Sequence, residues 1–165
     1  MAKIALITDT HAGVRNDNPA FHSYQKQCYS WFFDYVDTHS IRHVVHLGDI
    51  FDRRKYINFL SAKRCREDFL DPLEDRSIET HIIQGNHDSY YKDTHEVNAL
   101  DELVAGRYSF INTHSLPSIV NIDGLDIQIM PWITDSNRDM AFDLDRKSTR
   151  LNSSHMSESR MPSSA

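Results

Sequence analysis

Three short polar clusters, each placed directly after an apolar run, constrain this chain more than any other feature: Asp9-Thr10-His11, Gly48-Asp49-Ile50-Phe51-Asp52 and Gly85-Asn86-His87-Asp88. The runs before them, Ile4 to Ile7, His43 to Leu47 and His81 to Ile83, read as short buried strands. Between the first two, Phe21, Tyr24, Cys28, Trp31, Phe32, Tyr35 and Val36 recur at three- and four-residue steps, which predicts an amphipathic helix with its aromatic stripe in the core. Phe59, Ala62, Phe69 and Leu73 sketch a second helix with Pro72 near its end. Val97, Leu100, Leu103 and Val104 sketch a third, stopped by Gly106. Strands alternating with helices predict an α/β fold with a parallel sheet and crossover helices. Ligands of such sheets bind beyond the carboxyl ends of the strands, where all three clusters fall.

The residue types in those clusters suit a dinuclear metal site. Such a site takes carboxylate and imidazole ligands for hard or borderline divalent ions, with one carboxylate bridging both. Asp9 and His11 are two apart, so on an extended segment their side chains leave the same face and reach one ion. Asp49 is the expected bridge. Asn86 offers a neutral amide oxygen to the second ion, which leaves His87 beside the metals to move a proton and Asp88 to hold its imidazole. Asp52 reads equally as an outer support of the metal ligands and as the cap of the next turn. Arg53, Arg54 and Lys55 are candidates for phosphate contacts, although a three-residue charge run reads more readily as a solvated loop. Tyr90, Tyr91 and Lys92 line a substrate path or are buried. His43 and His46 flank the second strand and read as packing or surface residues.

Further along, Ile119 to Ile122 and Leu125 to Met130 flank Asp123-Gly124, a pair suited to a two-residue type I′ hairpin that starts a second sheet. His114, before this hairpin, reads as a solvated loop residue. A short helix begins near Ser136 with Met140, Ala141 and Leu144 on its inner face. From Lys147 to Ala165 the chain carries seven serines in nineteen residues and no apolar period, which predicts a disordered tail; its start resembles translated library-end material. Residues 1–146 then form one domain, within the size range of a single core for a chain of 165 residues with 39% hydrophobic content. No apolar run reaches membrane-spanning length and no signal peptide precedes the first strand, so the expected compartment is cytoplasmic. Cys28 and Cys65 lack ligand or disulfide spacing and read as small buried hydrophobes. The formal charge of -6 argues against a nucleic-acid coat protein but not against a nuclease, because bound divalent ions reverse the local sign.

The ordered clusters, their roughly 40-residue spacing and their strand-end placement resemble the calcineurin-like metallophosphoesterase superfamily. Gly-Asp-Ile-Phe-Asp followed by Arg53, then Gly-Asn-His-Asp, then Ile129-Met130-Pro131-Trp132, is similar to the nuclease subunit of SbcCD-type DNA repair exonucleases, phage recombination endonuclease subunits above all. The resemblance covers Met1 to about Arg146 and implies a metallophosphoesterase sheet sandwich flanked by helices and truncated at its C-terminal side. It implies two divalent ions, manganese first and magnesium as the substitute, with Asp9 and His11 on one, Asp49 bridging and Asn86 on the other. It implies that His87 protonates the leaving oxygen or steadies the transition state, with Asp88 orienting it, while a metal-activated water attacks the phosphodiester in line. DNA is the implied substrate and an ATPase with a long coiled coil the implied partner, docking through segments absent here. Helices over 59–73 and 94–104 are the implied homodimer surface.

The chain departs from that family in lacking the later Gly-His and Gly-His-x-His motifs that complete both metal shells, and neither His114 nor His155 replaces them. Each ion then keeps at most three protein ligands, so weak metal binding and little or no nuclease activity are expected of this chain alone. Two other readings stand beside the nuclease. One is a protein phosphatase or cyclic-nucleotide phosphodiesterase of the same superfamily, although Gly-Asn-His-Asp and Arg54 depart from the phosphatase pattern. The other is a non-catalytic dimerisation module.

Overall fold

The computed structural model describes residues 3–153, with side chains through Arg146. Four parallel strands lie side by side in chain order: β1 (Ile4–Ile7), β2 (His43–His46), β3 (Glu79–Ile83) and β4 (Ile111–His114). Their register pairs Ile4 with His43, His43 with Glu79 and Thr80 with Ile111. The first crossover holds a one-turn segment α1 (Val14–Asp17) and the long helix α2 (Pro19–Thr38). The second holds α3 (Phe59–Cys65), a π-helical turn (Arg66–Leu70) and α4 (Asp71–Asp75); the third holds α5 (Ala99–Leu103). The mixed α/β architecture expected from the strand and helix alternation is therefore present.

Asparagine caps α2, α3 and α5, one helix in each crossover. The side chains of Asn18, Asn58 and Asn98 accept from the amides of Ala20, Leu60 and Asp101 at 2.8–2.9 Å, each satisfying an otherwise orphan donor of the first turn. Strand alternation then sorts the sheet into two faces. Val44 and Ile82 meet Tyr29, Phe32, Phe33 and Val36 of α2, Phe69 and Leu73 of the second crossover, and Leu100 and Val104 of the third. Val45 and Ile83 point the other way, onto Ile122 and Ile129 of the hairpin β5 (Ser118–Ile122) and β6 (Leu125–Ile129). Asp123 and Gly124 turn that hairpin with φ of 50° and 82°, the type I′ geometry expected.

Several expectations are corrected. In α2, Phe32 and Val36 are buried, but Phe21, Tyr24, Trp31, Tyr35 and Cys28 face solvent, while Tyr29 and Phe33 take the core positions. Two apolar stripes share this helix, and periodicity alone does not select the one that meets the sheet. Phe59 is 92% exposed, whereas Phe69, inside the π-helical turn, and Leu73 are fully buried. β4 was not anticipated: Ile111 is its only large apolar residue, and its remaining positions earn their place by pairing with β3. The last helix, α6 (Arg138–Ser153), buries Ala141 but exposes Met140, and it runs through the first seven residues of the expected tail. The remainder of that tail, 154–165, lies outside the described residues. Among those described, no helix is long and apolar enough to cross a membrane.

Candidate metal centre

The loops after β1 and β2 stay stitched together beyond the sheet. The amides of Asp9, His11 and Ala12 donate to the carbonyls of Gly48, Asp49 and Ile50 at 3.1, 3.0 and 2.8 Å, and the Asp52 amide returns a bond to the Ala12 carbonyl at 3.1 Å. This ladder carries Asp9, His11, Asp49 and Asp52 to one end of the sheet. It does so without extended backbone: Asp9, His11 and Asp49 all have left-handed φ, at 53°, 42° and 56°. The same-face argument from an extended Asp-x-His segment is thus replaced by a strained turn, a conformation that costs of order 1–3 kcal/mol per residue and is held by its surroundings.

The third loop closes against the second. A Cβ on Gly48 would lie 2.9 Å from the Gly85 Cα, and a Cβ on Gly85 would lie 2.2 Å from an Asp49 carboxylate oxygen, so both positions require glycine. The Asp88 carboxylate clamps this junction. It accepts from the amides of Asp49 and Gly85 at 2.9 Å and of Phe51 at 3.1 Å, is fully buried, and burial pushes its pKa up to about 6. Asp88 therefore does not orient His87 as the sequence suggested. That task falls to the Asp52 carbonyl, 2.6 Å from His87 Nδ1. A carbonyl only accepts, so Nδ1 carries a proton and Nε2 is left for a reacting group. The His87 amide in turn donates to the Asp49 carboxylate at 2.8 Å.

His11 stands at the middle of the cluster, its ring edge-on to that of His87 with centroids 4.9 Å apart. Its Nε2 is 3.5 Å from Asp9 and its Nδ1 is 3.7 Å from the Asp52 carboxylate, and the buried Nδ1 has no hydrogen-bond partner. Ligand atoms of Asp9, His11 and Asp49 lie within 4.8 Å of one another, and so do those of His11, Asp52 and His87. An orphaned imidazole nitrogen among carboxylates, with donor types suited to hard or borderline divalent ions, fits a metal. Thr8 Oγ1 donates to Asp9 at 2.6 Å and is the main cause holding that carboxyl below its usual pKa, which keeps it in the ligating form. Asn86 joins Asp9 and Asp49 in lining a hollow of about 270 Å³ closed on one side by Met130, Pro131 and Trp132.

The sequence missed the supports. Gln25 of α2 donates to the carbonyl of Thr10 and, at 3.2 Å, to that of His11, and nothing local marks it. Thr8 was legible in hindsight, since a hydroxyl beside Asp9 is placed to bond it. The basic run is not a free loop: Arg53 donates to Asp17 and Asn16 at 2.9 Å, and Arg54 lies over the Trp132 ring at 4.8 Å. His46 is fully buried, with Nδ1 accepting from the Gly48 amide at 3.2 Å and Nε2 2.9 Å from Thr10 Oγ1, so burial depresses its pKa to about 4. His114 ends β4 rather than lying in solvent. Its Nε2 is 2.9 Å from His81 Nδ1, and burial lowers its pKa to about 4.

The sequence pattern of the calcineurin-like phosphoesterases matches residues 2–153. The chain is also similar to exonuclease subunit 1 of Enterobacteria phage T4, with 33% identity over 135 residues that make up 82% of this chain and 39% of that protein. It spans about two-fifths of that relative's length.

Proposed function

Because the chain belongs to the calcineurin-like phosphoesterase family, we propose that it is the metal-binding part of a two-metal DNA phosphodiesterase that works in double-strand-break repair or recombination. The observation that carries the reading is the convergence of Asp9, His11 and Asp49 from two strand-end loops to within ligand distance of one another, in a chain similar to an exonuclease subunit. Asp9, His11, Asp49 and Asn86 would hold the ions. Asp52 lies close enough to His11 and His87 to act as a further ligand as well as a support. Manganese, with magnesium as the substitute, would supply charge neutralisation at the phosphate and an acidified water.

The protein's own part is proton movement and positioning. His87, fixed through Nδ1 by the Asp52 carbonyl, presents Nε2 to the leaving oxygen; in its doubly protonated form it donates the Nε2 proton to that oxygen and is left as the neutral Nδ1–H tautomer. Asp88 keeps the second and third loops in register and so sets where Asp49 and His87 stand. Arg54 and Lys55 would contact the DNA, while Arg53 is engaged by Asp17 and Asn16. In the assembly the helices over 59–73 and 94–104 pair two copies, and a coiled-coil ATPase is the partner subunit.

The test is a manganese titration read by electron paramagnetic resonance, followed by incubation with labelled DNA ends and with a phosphopeptide. We expect weak binding that is lost in Asp49→Ala, slow or absent turnover, and any turnover confined to DNA. Binding unchanged in Asp49→Ala refutes the metal assignment. Turnover of the phosphopeptide alone refutes the substrate class.

A further inference from the structure

A second cavity, of about 170 Å³, is lined by the loop after β2, by Tyr90, and by α5 with the residues just before it. Phe51, one residue before Asp52, and Tyr90, three after His87, both line it, which ties it to the loops that carry the metal-site residues. Its apolar floor is Phe51, Ile57 and Leu103, and its rim carries Lys55, Tyr56 and Tyr90. The volume is below the roughly 300–1,000 Å³ of pockets that bury drug-sized ligands, so it holds one flat ring system and excludes a base pair.

The charges around it are unequal. Arg53 also lies over Tyr56, at 5.0 Å, but its guanidinium is committed to Asp17 and Asn16. Lys55 is 5.5 Å above the Tyr90 ring and enters no salt bridge among the described residues. Arg54 also lines the cavity, and its buried Nη1 has no hydrogen-bond partner. An uncommitted ammonium and an unsatisfied guanidinium nitrogen call for an anion. Two tyrosine rings over an apolar floor call for a planar π-system. Glu102, the acidic residue on the lining, rules out a deeply seated phosphate and offers an acceptor to an exocyclic amine.

We propose that this cavity takes a single unpaired nucleobase of a DNA strand end, stacked on Tyr56 and Tyr90, with its phosphate against Lys55 and Arg54. The inference rests on the DNA-directed reading above and deepens it: an occupied pocket anchors the strand at the loops that carry the metal-site residues, and favours frayed or single-stranded ends over intact duplex.

The test uses short single-stranded oligonucleotides in the presence of a chelator, so that binding is read without turnover. A 2-aminopurine at the terminal position reports stacking by loss of fluorescence, and an oligonucleotide abasic at that position is the comparison. We expect quenching on binding, about tenfold weaker binding of the abasic strand, a similar loss in Tyr90→Ala and Lys55→Ala, and recovery in Tyr90→Phe, which keeps the ring. Tyr24→Ser, on the solvent face of α2 and outside the cavity lining, leaves binding unchanged. Equal binding of the abasic and intact strands overturns the pocket while leaving the DNA reading intact. No binding of any strand overturns both. A dimer that dissociates in Tyr90→Ala, seen by sedimentation, also overturns the proposal, since the cavity then belongs to an interface between copies.

Discussion

The helix face and the hairpin face of the sheet are built from different materials. On the helix side, Phe69, Leu73, Leu100 and Val104 are all fully buried against Val44 and Ile82, in one apolar cluster that spans every crossover. On the hairpin side the buried apolar set is Val45, Ile83, Ile122 and Ile129, with Ile4, Val120 and Ile127 half-buried against it, and ionisable groups share the layer. There His43 pairs with Glu79 at 2.9 Å and with Asp123 of the hairpin turn at 3.2 Å, while His81 reaches Glu79 at 3.6 Å and His114 at 2.9 Å. The difference teaches that strand positions, and hence the loops that carry Asp9, Asp49 and His87, are set by apolar burial from one side. The other side depends on ionisable groups that need the right protonation state.

The largest test of that contrast is truncation of the two cores. Phe69→Ala should cost about 3–5 kcal/mol, and Ile129→Ala about 2–3 kcal/mol because fewer neighbours close around it. Thermal melts giving equal losses would erase the distinction between faces. At the junction of the loops, Gly85→Ala drives a Cβ into the Asp49 amide and carboxylate, at 2.4 and 2.2 Å. It should lower the melting temperature and abolish manganese binding, whereas Ile129→Ala should keep binding at temperatures where it remains folded.

Acid should act through histidines. His114 has a folded pKa depressed from 6.5 to about 4, so the unfolded chain binds the extra proton between those values and stability falls as pH drops through that window. Going from pH 7 to pH 5 should cost about 1–2 kcal/mol through this residue. His46, on the helix face, adds its own loss in the same range. His114→Gln isolates the hairpin contribution: melts at the two pH values should differ less than in the parent, and an unchanged difference would show that the hairpin face is not a source of acid sensitivity. The smallest effect belongs to the solvent stripe of α2. Tyr24→Ser, at a position 65% exposed, should change stability by less than about 0.5 kcal/mol.

Much of this was legible. The three strand ends, the Asp123-Gly124 hairpin and the clustering of Asp9, His11, Asp49 and His87 follow from apolar runs ending at chemically loaded residues. What escaped shares one cause, which is partners distant in sequence. Asp88 follows His87 directly in sequence, but its carboxylate is satisfied by the amides of Asp49 and Phe51, 39 and 37 positions away. Gln25 reaches the first loop from the middle of α2, and His114 finds His81 across a strand pair. Local pattern has no access to such pairings.

By itself the sequence determined the donor chemistry and its location, because carboxylates, imidazoles and an amide directly after buried strands have little choice but to meet at the end of a parallel sheet. Tertiary structure alone decided which of those groups face a reactant and which hold the scaffold. Asp88 and His46 are buried with every polar atom engaged, so they lock backbone; His11 keeps an unpartnered nitrogen and His87 a spare one, so they remain free for chemistry. Whether a polar group is satisfied depends on what packs around it, and that is fixed only when the loops close.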